Sequence, residues 1–133
     1  METTQISKSR LWTSRIMSGL VILFMLFDGI FKLIPPNEMM KASVDELGYA
    51  EHHLPIMGTL ALIATVLYAI PATSVLGAVL LTGYFGGAIA THVRIDNPLF
   101  SHILFPVYLA ILMWGGIWLR DQRVRKLLLS VGG

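Results

Sequence analysis

The sequence has 133 residues, of which 55% are hydrophobic and only 14% are charged, with a formal net charge of +2. A water-soluble domain carries about 25% charged residues, so this composition excludes an ordinary soluble surface and predicts contact with lipid. The absence of cysteine excludes disulfides, thiol catalysis and thiolate-held metal clusters. The basic residues are too few and too clustered to form a nucleic-acid-binding surface, so no nucleic-acid partner is expected.

Hydropathy divides the chain into four candidate membrane spans, at residues 12–34, 54–70, 72–91 and 100–119. A helix needs roughly 20 apolar residues to cross about 30 Å of hydrocarbon. Pro35 and Pro36 end the first span, and Pro71 opens the third, where proline suits the first turn of a helix. Because four such segments leave too little polar chain to enclose them, the sequence predicts an all-α, integral membrane four-helix antiparallel bundle forming a single domain over residues 1–133.

Basic residues are divided unevenly between the two sides of such a bundle. If the N-terminus is cytoplasmic, the inner side carries Lys8, Arg10, Arg15, Arg120, Arg123, Arg125 and Lys126. The outer side then carries only Lys32, Lys41 and Arg94. Cytoplasmic loops of membrane proteins are enriched in Lys and Arg, so this asymmetry predicts that the N- and C-termini are both cytoplasmic.

The long connection at residues 35–53 lies on the outer side in this topology. Its apolar residues have roughly helical spacing, Asn37 is a suitable helix cap, and Gly48 is a suitable end. The pattern favours a short amphipathic helix that lies on the outer surface or in the mouth of the bundle. A mobile loop is the alternative.

Small residues in the third and fourth spans predict close helix packing. Gly83, Gly87 and Thr91 are four residues apart, so they share one face of the third helix. A Gly-x-x-x-Gly pattern lets helix backbones approach closely in lipid. The residues expected to form such packing seams are Gly83, Gly86, Gly87, Thr91, Gly115 and Gly116.

Ionisable residues are expected to gather at the outer end, since charges within a bilayer tend to face a bundle interior or a wet cavity. Asp28 lies about 10 Å below that end at 1.5 Å per residue, and Lys32 follows one helical turn later. The third helix brings His92 and Arg94 to the same end, and the fourth brings His102. These five residues are the candidates for ligand binding, whereas the inner half of the bundle is expected to be dry.

Each candidate also has a structural interpretation. Lys32 can snorkel to the interface, Asp28 and Lys32 can form a structural ion pair, and His92 and Arg94 can be ordinary interfacial residues. The four histidines have no diagnostic metal-ligand spacing, so no metal site is expected.

Several stretches of the chain resemble the DoxX-like family of small bacterial four-helix membrane proteins. The resemblance is carried by the segments "LLTGYFGGAIATHVR", "WGGIWLRD" and "FDGIFKL", together with Pro106, and it covers nearly the whole chain. It implies a multi-pass protein of the bacterial cell (inner) membrane. The wider group includes subunits associated with quinone-linked sulfur oxidation and relatives with oxidoreductase, stress or scaffold roles. No established catalytic role comes with the matching residues.

Two functional hypotheses follow. In the first, the protein is redox-associated and binds a small quinone-like molecule at the outer end, with quinone favoured over haem. His92 or His102 would then hydrogen-bond a carbonyl oxygen, Arg94 would stabilise negative charge, and Asp28 would relay a proton or fix Lys32. In the second, the protein is a non-catalytic membrane subunit or scaffold whose glycine seams pack against another copy or a membrane redox partner. The sequence does not decide whether any reaction is catalysed.

Overall fold

The computed structural model describes residues 7–129, and across them the chain is helical, without strands. The α-helices in chain order are α1 (Lys8–Leu33), α2 (Asn37–Lys41), α3 (His53–Ala69), α4 (Ser74–Arg94), α5 (Phe105–Arg120) and α6 (Gln122–Leu129). Two π-helical turns, Ala42–Glu46 and Leu99–Ile103, and one 3-10 turn, Pro71–Thr73, complete the connections. The predicted all-α class is therefore confirmed.

Three helical segments within residues 7–129 are long and apolar enough to cross a membrane, namely Lys8–Leu33, Pro71–Arg94 and Leu99–Arg120. The fourth apolar helix, α3, is shorter, with 17 residues. Large apolar side chains cover the outside of these helices; Leu23, Leu60, Val79 and Ile111 are each more than half exposed. A water-soluble protein does not expose so much contiguous apolar surface. The chain is therefore a membrane protein whose helices contact the bilayer.

The four long helices pack in a ring. α1 packs against α3 and α5, and α4 packs against the same two helices. The C-terminal ends of α1 and α4 meet the N-terminal ends of α3 and α5, and we call this the polar end of the molecule. The opposite end, where α1 begins and α6 follows α5, is the basic end. The buried core between them consists of Val21, Met25, Ala61, Ala64, Tyr68, Ala78, Leu81, Phe85, Leu109, Met113, Ile117 and Val124.

Glycines allow three of the helix crossings to be close. At the α1–α3 crossing, a Cβ atom on Gly58 would lie 2.7 Å from the Gly29 carbonyl oxygen. At the α3–α4 crossing, a Cβ atom on Gly77 would lie 2.2 Å from the Tyr68 backbone nitrogen. At the α1–α5 crossing, a Cβ atom on Gly116 would lie 2.2 Å from the Ser18 Oγ. Side chains at these positions would therefore force the helices apart.

The glycines predicted to form packing seams have different environments. Gly115 and Gly116 do pack against α1, since a Cβ atom on Gly115 would lie 2.5 Å from Met17 Cε. Around Gly83, Gly86 and Gly87, an added Cβ atom would meet no atom within 4 Å. The Gly83–Gly87 face of α4 is thus not a seam between helices of this chain. Packing of these glycines against another molecule stays a prediction.

A buried hydrogen-bond network near the basic end differs from the expected dry inner half. The Tyr68 hydroxyl, 1% exposed, donates to the Met113 carbonyl oxygen at 2.7 Å and lies 2.7 Å from Ser18 Oγ. Arg120 donates to Ser18 Oγ at 2.6 Å and reaches Ser14 Oγ at 3.4 Å. The network connects α1, α3 and α5. This network was not predictable from the sequence, because its serine and tyrosine residues occur singly in the apolar runs.

The Tyr68→Phe variant should be less stable because the substitution leaves the Met113 carbonyl oxygen without its cross-helix donor. We expect the free energy of unfolding to fall by roughly 1–3 kcal/mol, because the variant loses the hydrogen bonds of the hydroxyl to both Met113 and Ser18. Reversible unfolding in mixed detergent micelles measures this change. Tyr108→Phe is the control, because the Tyr108 hydroxyl also donates to a carbonyl oxygen, that of Phe100, from an exposed position. Equal losses in the two variants would contradict a special role for the buried network.

Arginines at the basic end cap the C-terminus of α5. Arg10 Nε donates to the Leu119 carbonyl oxygen at 2.7 Å, and Arg125 donates to the Trp118 carbonyl oxygen. The last carbonyls of a helix lack partners within it and carry partial negative charge, so cationic donors stabilise them. The basic cluster therefore stabilises the fold locally.

The short helix α6 was not predicted from the sequence. Asp121 caps it, because Asp121 Oδ1 accepts a hydrogen bond from the Arg123 backbone nitrogen at 2.9 Å. Burial alone would raise the pKa of Asp121, but hydrogen bonds and charge from Arg123 outweigh that effect and lower it. Val124 is buried and attaches α6 to the core. Aspartate capping and one buried apolar side chain therefore stabilise this helix, which contains three basic residues.

Candidate functional site

A cavity of about 420 Å³ lies at the polar end, among α1, α4, α5 and the segment before α3. Its walls are largely apolar, with a small group of polar side chains. The lining residues of α1 and α3 are Phe24, Met25, Asp28, Lys32 and Met57; those of α4 and α5 are Gly83, Tyr84, Phe85, Gly87, Ala88, Thr91, His92, Phe105, Pro106 and Leu109; those of the connections are Leu47, Tyr49, Ser101 and His102. Small-molecule sites generally combine such apolar walls with a few polar groups.

The deepest polar group of the cavity is formed by Asp28, Lys32 and Tyr84. Lys32 Nζ lies 2.6 Å from Asp28 Oδ1, and the Tyr84 hydroxyl donates to Asp28 Oδ2 at 3.0 Å. The ammonium also lies 5.8 Å from the centroid of the Tyr84 ring. Both carboxylate oxygens of Asp28 are therefore engaged by donors from two helices. The Lys32 ammonium has further protons with which to donate to a ligand.

A second polar group, nearer the end of the molecule, contains His92 and His102. Their ring centroids are 5.6 Å apart. His92 Nδ1 lies 2.7 Å from the amide nitrogen of Asn97. Because an amide nitrogen can only donate, His92 Nδ1 accepts and the proton of the neutral ring is on Nε2. His92 also lines the cavity.

The end of α4 positions Asn97 for this contact. The Asn97 backbone nitrogen donates to the His92 carbonyl oxygen at 3.0 Å, and the Asp96 nitrogen donates to the Val93 carbonyl oxygen at 3.1 Å. Asp96 has a φ of 55°, the left-handed conformation that this type of helix ending requires. Aspartate tolerates that conformation better than most residues. The residues after Thr91 thus form a helix C-cap, and this cap places the Asn97 side chain beside the His92 ring.

The segment before α3 forms part of the cavity wall at the polar end. Leu47 and Tyr49 line it, and the Tyr49 hydroxyl hydrogen-bonds Thr91 Oγ1. Arg94 donates to the Leu47 carbonyl oxygen and lies beside Gly48, whose φ is +80°. Arg94 is therefore bound to this segment, and it is not among the cavity-lining residues. The predicted helix in the loop is present as α2 and the following π-helical turn, and Gly48 follows it.

The structure thus brings together most of the predicted ligand-binding residues. Asp28, Lys32, His92 and His102 line one cavity, whereas Arg94 fixes the segment that forms part of its wall. Thr91, predicted as a packing residue, instead bonds Tyr49 and lines the cavity. Across the described part of the chain, no three His, Asp or Glu side chains are grouped as metal ligands.

Sequence reasoning missed Tyr84 and Tyr49. A tyrosine in an apolar run has no distinguishing signal on its own. The spacing did contain one clue, because Tyr84 and Thr91 are seven residues apart and so share a helix face. Gly83 and Gly87 were assigned to packing, yet both line the cavity, whereas Gly86 does not.

An all-helical membrane protein with a partly polar cavity at one end is the class that these features define. The model of the DoxX-like family matches residues 16–116, which is most of the chain. The chain therefore belongs to the DoxX-like family, as its resemblance to that family predicted. No curated protein and no solved structure matches it.

Proposed function

We propose that α1, α3, α4 and α5 form an antiparallel four-helix bundle that spans the bacterial inner membrane, with both termini cytoplasmic and the polar end outside. The distribution of basic residues supports this orientation. The 17 residues of α3 extend about 26 Å, and a helix slightly shorter than the hydrocarbon core is accommodated by local thinning of the bilayer. The polar-end cavity then lies within the outer half of the membrane.

The function that the site supports best is binding of a quinone-like small molecule in this cavity. The observation that carries it is that Lys32 and His92, whose side chains can donate hydrogen bonds, both line a largely apolar cavity of about 420 Å³. A quinone presents carbonyl oxygens as acceptors on an apolar ring, which this donor set fits. When bound, a quinone supplies reversible electron and proton transfer. The residues of this chain would bind its oxygens, orient its ring and exclude water.

Binding of a benzoquinone that carries a ten-carbon chain tests this proposal. The purified protein in lipid nanodiscs should bind it saturably, as measured by quenching of tryptophan fluorescence. His92→Ala should weaken binding about tenfold, because one hydrogen bond to a ligand is worth roughly 1.4 kcal/mol. His52→Ala is the matched control, since His52 is exposed at the same end of the molecule and does not line the cavity. No binding by the wild type, or equal affinity in both variants, would overturn the proposal.

A non-catalytic membrane subunit remains the alternative function. The exposed position of Gly86, where an added Cβ atom would meet nothing within 4 Å, leaves room for another helix. On this alternative, native mass spectrometry in mild detergent should show an oligomer that Gly86→Leu dissociates. A wild type that stays monomeric would contradict self-association.

A further inference from the structure

The exposed part of the cavity wall lies on the side of the molecule where α4 faces α5 and α1. The cavity-lining residues that are themselves exposed are Phe24, Gly83, Gly87, Ser101, His102 and Phe105. The two glycines add no side chain to this part of the wall, and the space above each is empty to 4 Å. The cavity is therefore continuous with the outside of the protein along the Gly83–Gly87 face of α4.

Gly83 lies too far from the polar end for this opening to face water there. It is eleven residues before Arg94, the last residue of α4, which is about 16 Å at 1.5 Å per residue. The hydrocarbon core of a bilayer is about 30 Å thick, so this position is near its middle. The surface beside it is apolar, because Val79 and Leu80 are exposed on the preceding turn. An opening at this depth faces lipid chains.

The segment before α3 covers part of the route from the water side. Leu47 and Tyr49 contribute to the wall there, and both are only partly exposed. Hydrogen bonds from this segment to Thr91 and Arg94 fix it to the end of α4. The segment therefore covers part of the cavity toward water, whereas the Gly83–Gly87 face of α4 is open at the depth of the hydrocarbon.

We infer that the cavity opens sideways into the bilayer and that its ligand is a lipid-dissolved amphiphile. The polar head lies against Lys32 and His92, and the apolar chain leaves along the Gly83–Gly87 face of α4 into the hydrocarbon. A cavity of about 420 Å³ holds a ring-sized head group and does not need to hold the chain. This inference rests on the proposed function for the identity of the head group, whereas the opening itself stands independently of it.

The opening can be tested without any ligand, because the natural chain has no cysteine and single cysteines can be introduced. Nitroxide labels at Gly83→Cys, Gly86→Cys and Asn37→Cys report collisions with oxygen, which concentrates in hydrocarbon, and with a water-soluble nickel chelate. We expect the label at position 83 to collide mainly with oxygen, like the label at the exposed position 86, whereas the label at position 37, at the exposed start of α2, should collide mainly with the nickel chelate. Strong relaxation by the nickel chelate at position 83 would overturn the sideways opening.

The ligand class is tested with two benzoquinones that share one head group and carry either a ten-carbon chain or a long prenyl chain. In nanodiscs, with concentration expressed as mole fraction in lipid, both should bind with affinities within about threefold, since the chain stays in hydrocarbon before and after binding. Gly87→Leu fills the opening and should weaken the binding of both compounds at least about tenfold, because the new side chain occupies the path of the ligand. Gly86→Leu, one residue away and outside the cavity, should leave both unchanged.

The possible results separate the two proposals. Binding of the short-chain compound with exclusion of the long-chain one would overturn the sideways exit of the chain and leave quinone-like binding intact. If Gly86→Leu and Gly87→Leu weaken the binding of these compounds equally, the sideways exit of the chain is also overturned. If neither compound binds while position 83 remains accessible to oxygen, the sideways opening is upheld and the quinone-like ligand is rejected.

Discussion

The Gly77→Ala variant should be strongly destabilised. The new Cβ atom would lie 2.2 Å from the Tyr68 backbone nitrogen and 2.8 Å from the Ala64 carbonyl oxygen. Backbone atoms cannot rotate away as a side chain can, and the short connection at Pro71–Thr73 limits how far α3 and α4 can separate. Overpacking costs typically 1–3 kcal/mol and occasionally more, and we expect a loss of roughly 3 kcal/mol here.

Unfolding in mixed detergent micelles measures the loss, and the yield of monodisperse protein gives a second readout. Gly86→Ala is the matched control, because it makes the same chemical change on the same helix where no atom lies within 4 Å. Alanine favours helix over glycine by about 1 kcal/mol, so the control should be neutral or slightly stabilised. Similar losses in the two variants would show that the α3–α4 crossing does not depend on Gly77.

The Lys32→Met variant should show the second large effect. Removing the ammonium leaves the Asp28 carboxylate, whose side chain is only 21% exposed, with the Tyr84 hydroxyl as its one observed donor. Removing one partner of a buried ion pair costs about 3–5 kcal/mol, and placing an unpaired charged side chain within the bilayer costs a similar amount. We therefore expect the free energy of unfolding to fall by roughly 3 kcal/mol.

The two partners of this ion pair should not be equivalent. Asp28→Asn leaves an unpaired ammonium, but the flexible Lys32 side chain is one residue from the end of α1 and can extend to the interface. Asp28→Asn should therefore cost less than Lys32→Met, and the double variant should recover much of the stability lost in Lys32→Met. A double-mutant cycle on unfolding free energies measures the coupling. Additive losses would mean that the pair contributes little.

The long helices were predictable because a helix that crosses lipid needs a minimum apolar length. Apolar segments of that length can be recognised directly in the sequence. The predicted spans 12–34, 54–70 and 72–91 lie close to α1, α3 and α4, whereas the predicted span 100–119 includes a π-helical turn before α5. Helix α6 was missed, since eight residues are too few to show a repeated apolar period.

The candidate site was predictable where it contains charge. Charged and polar side chains are costly in lipid, so their presence near apolar spans indicates a site. The residues that could be identified in this way are Asp28, Lys32, His92 and His102. The role of Gly83 and Gly87 was not predictable, because a small-residue pattern describes a smooth helix face and does not show what lies against it. In this protein a cavity lies there, and the close crossings use Gly29, Gly58, Gly77 and Gly116.

The separation of these two sets of glycines has a consequence for divergence within the family. Residues that bring helices together and residues that give the cavity its width occupy different positions, so mutation can act on either set alone. Larger side chains at positions 83 and 87 would narrow the chamber without disturbing any helix crossing. On the proposed function, relatives would be able to change which molecules they accept while the scaffold remains constant, and we expect variation at these two positions to follow the size of the molecule accepted.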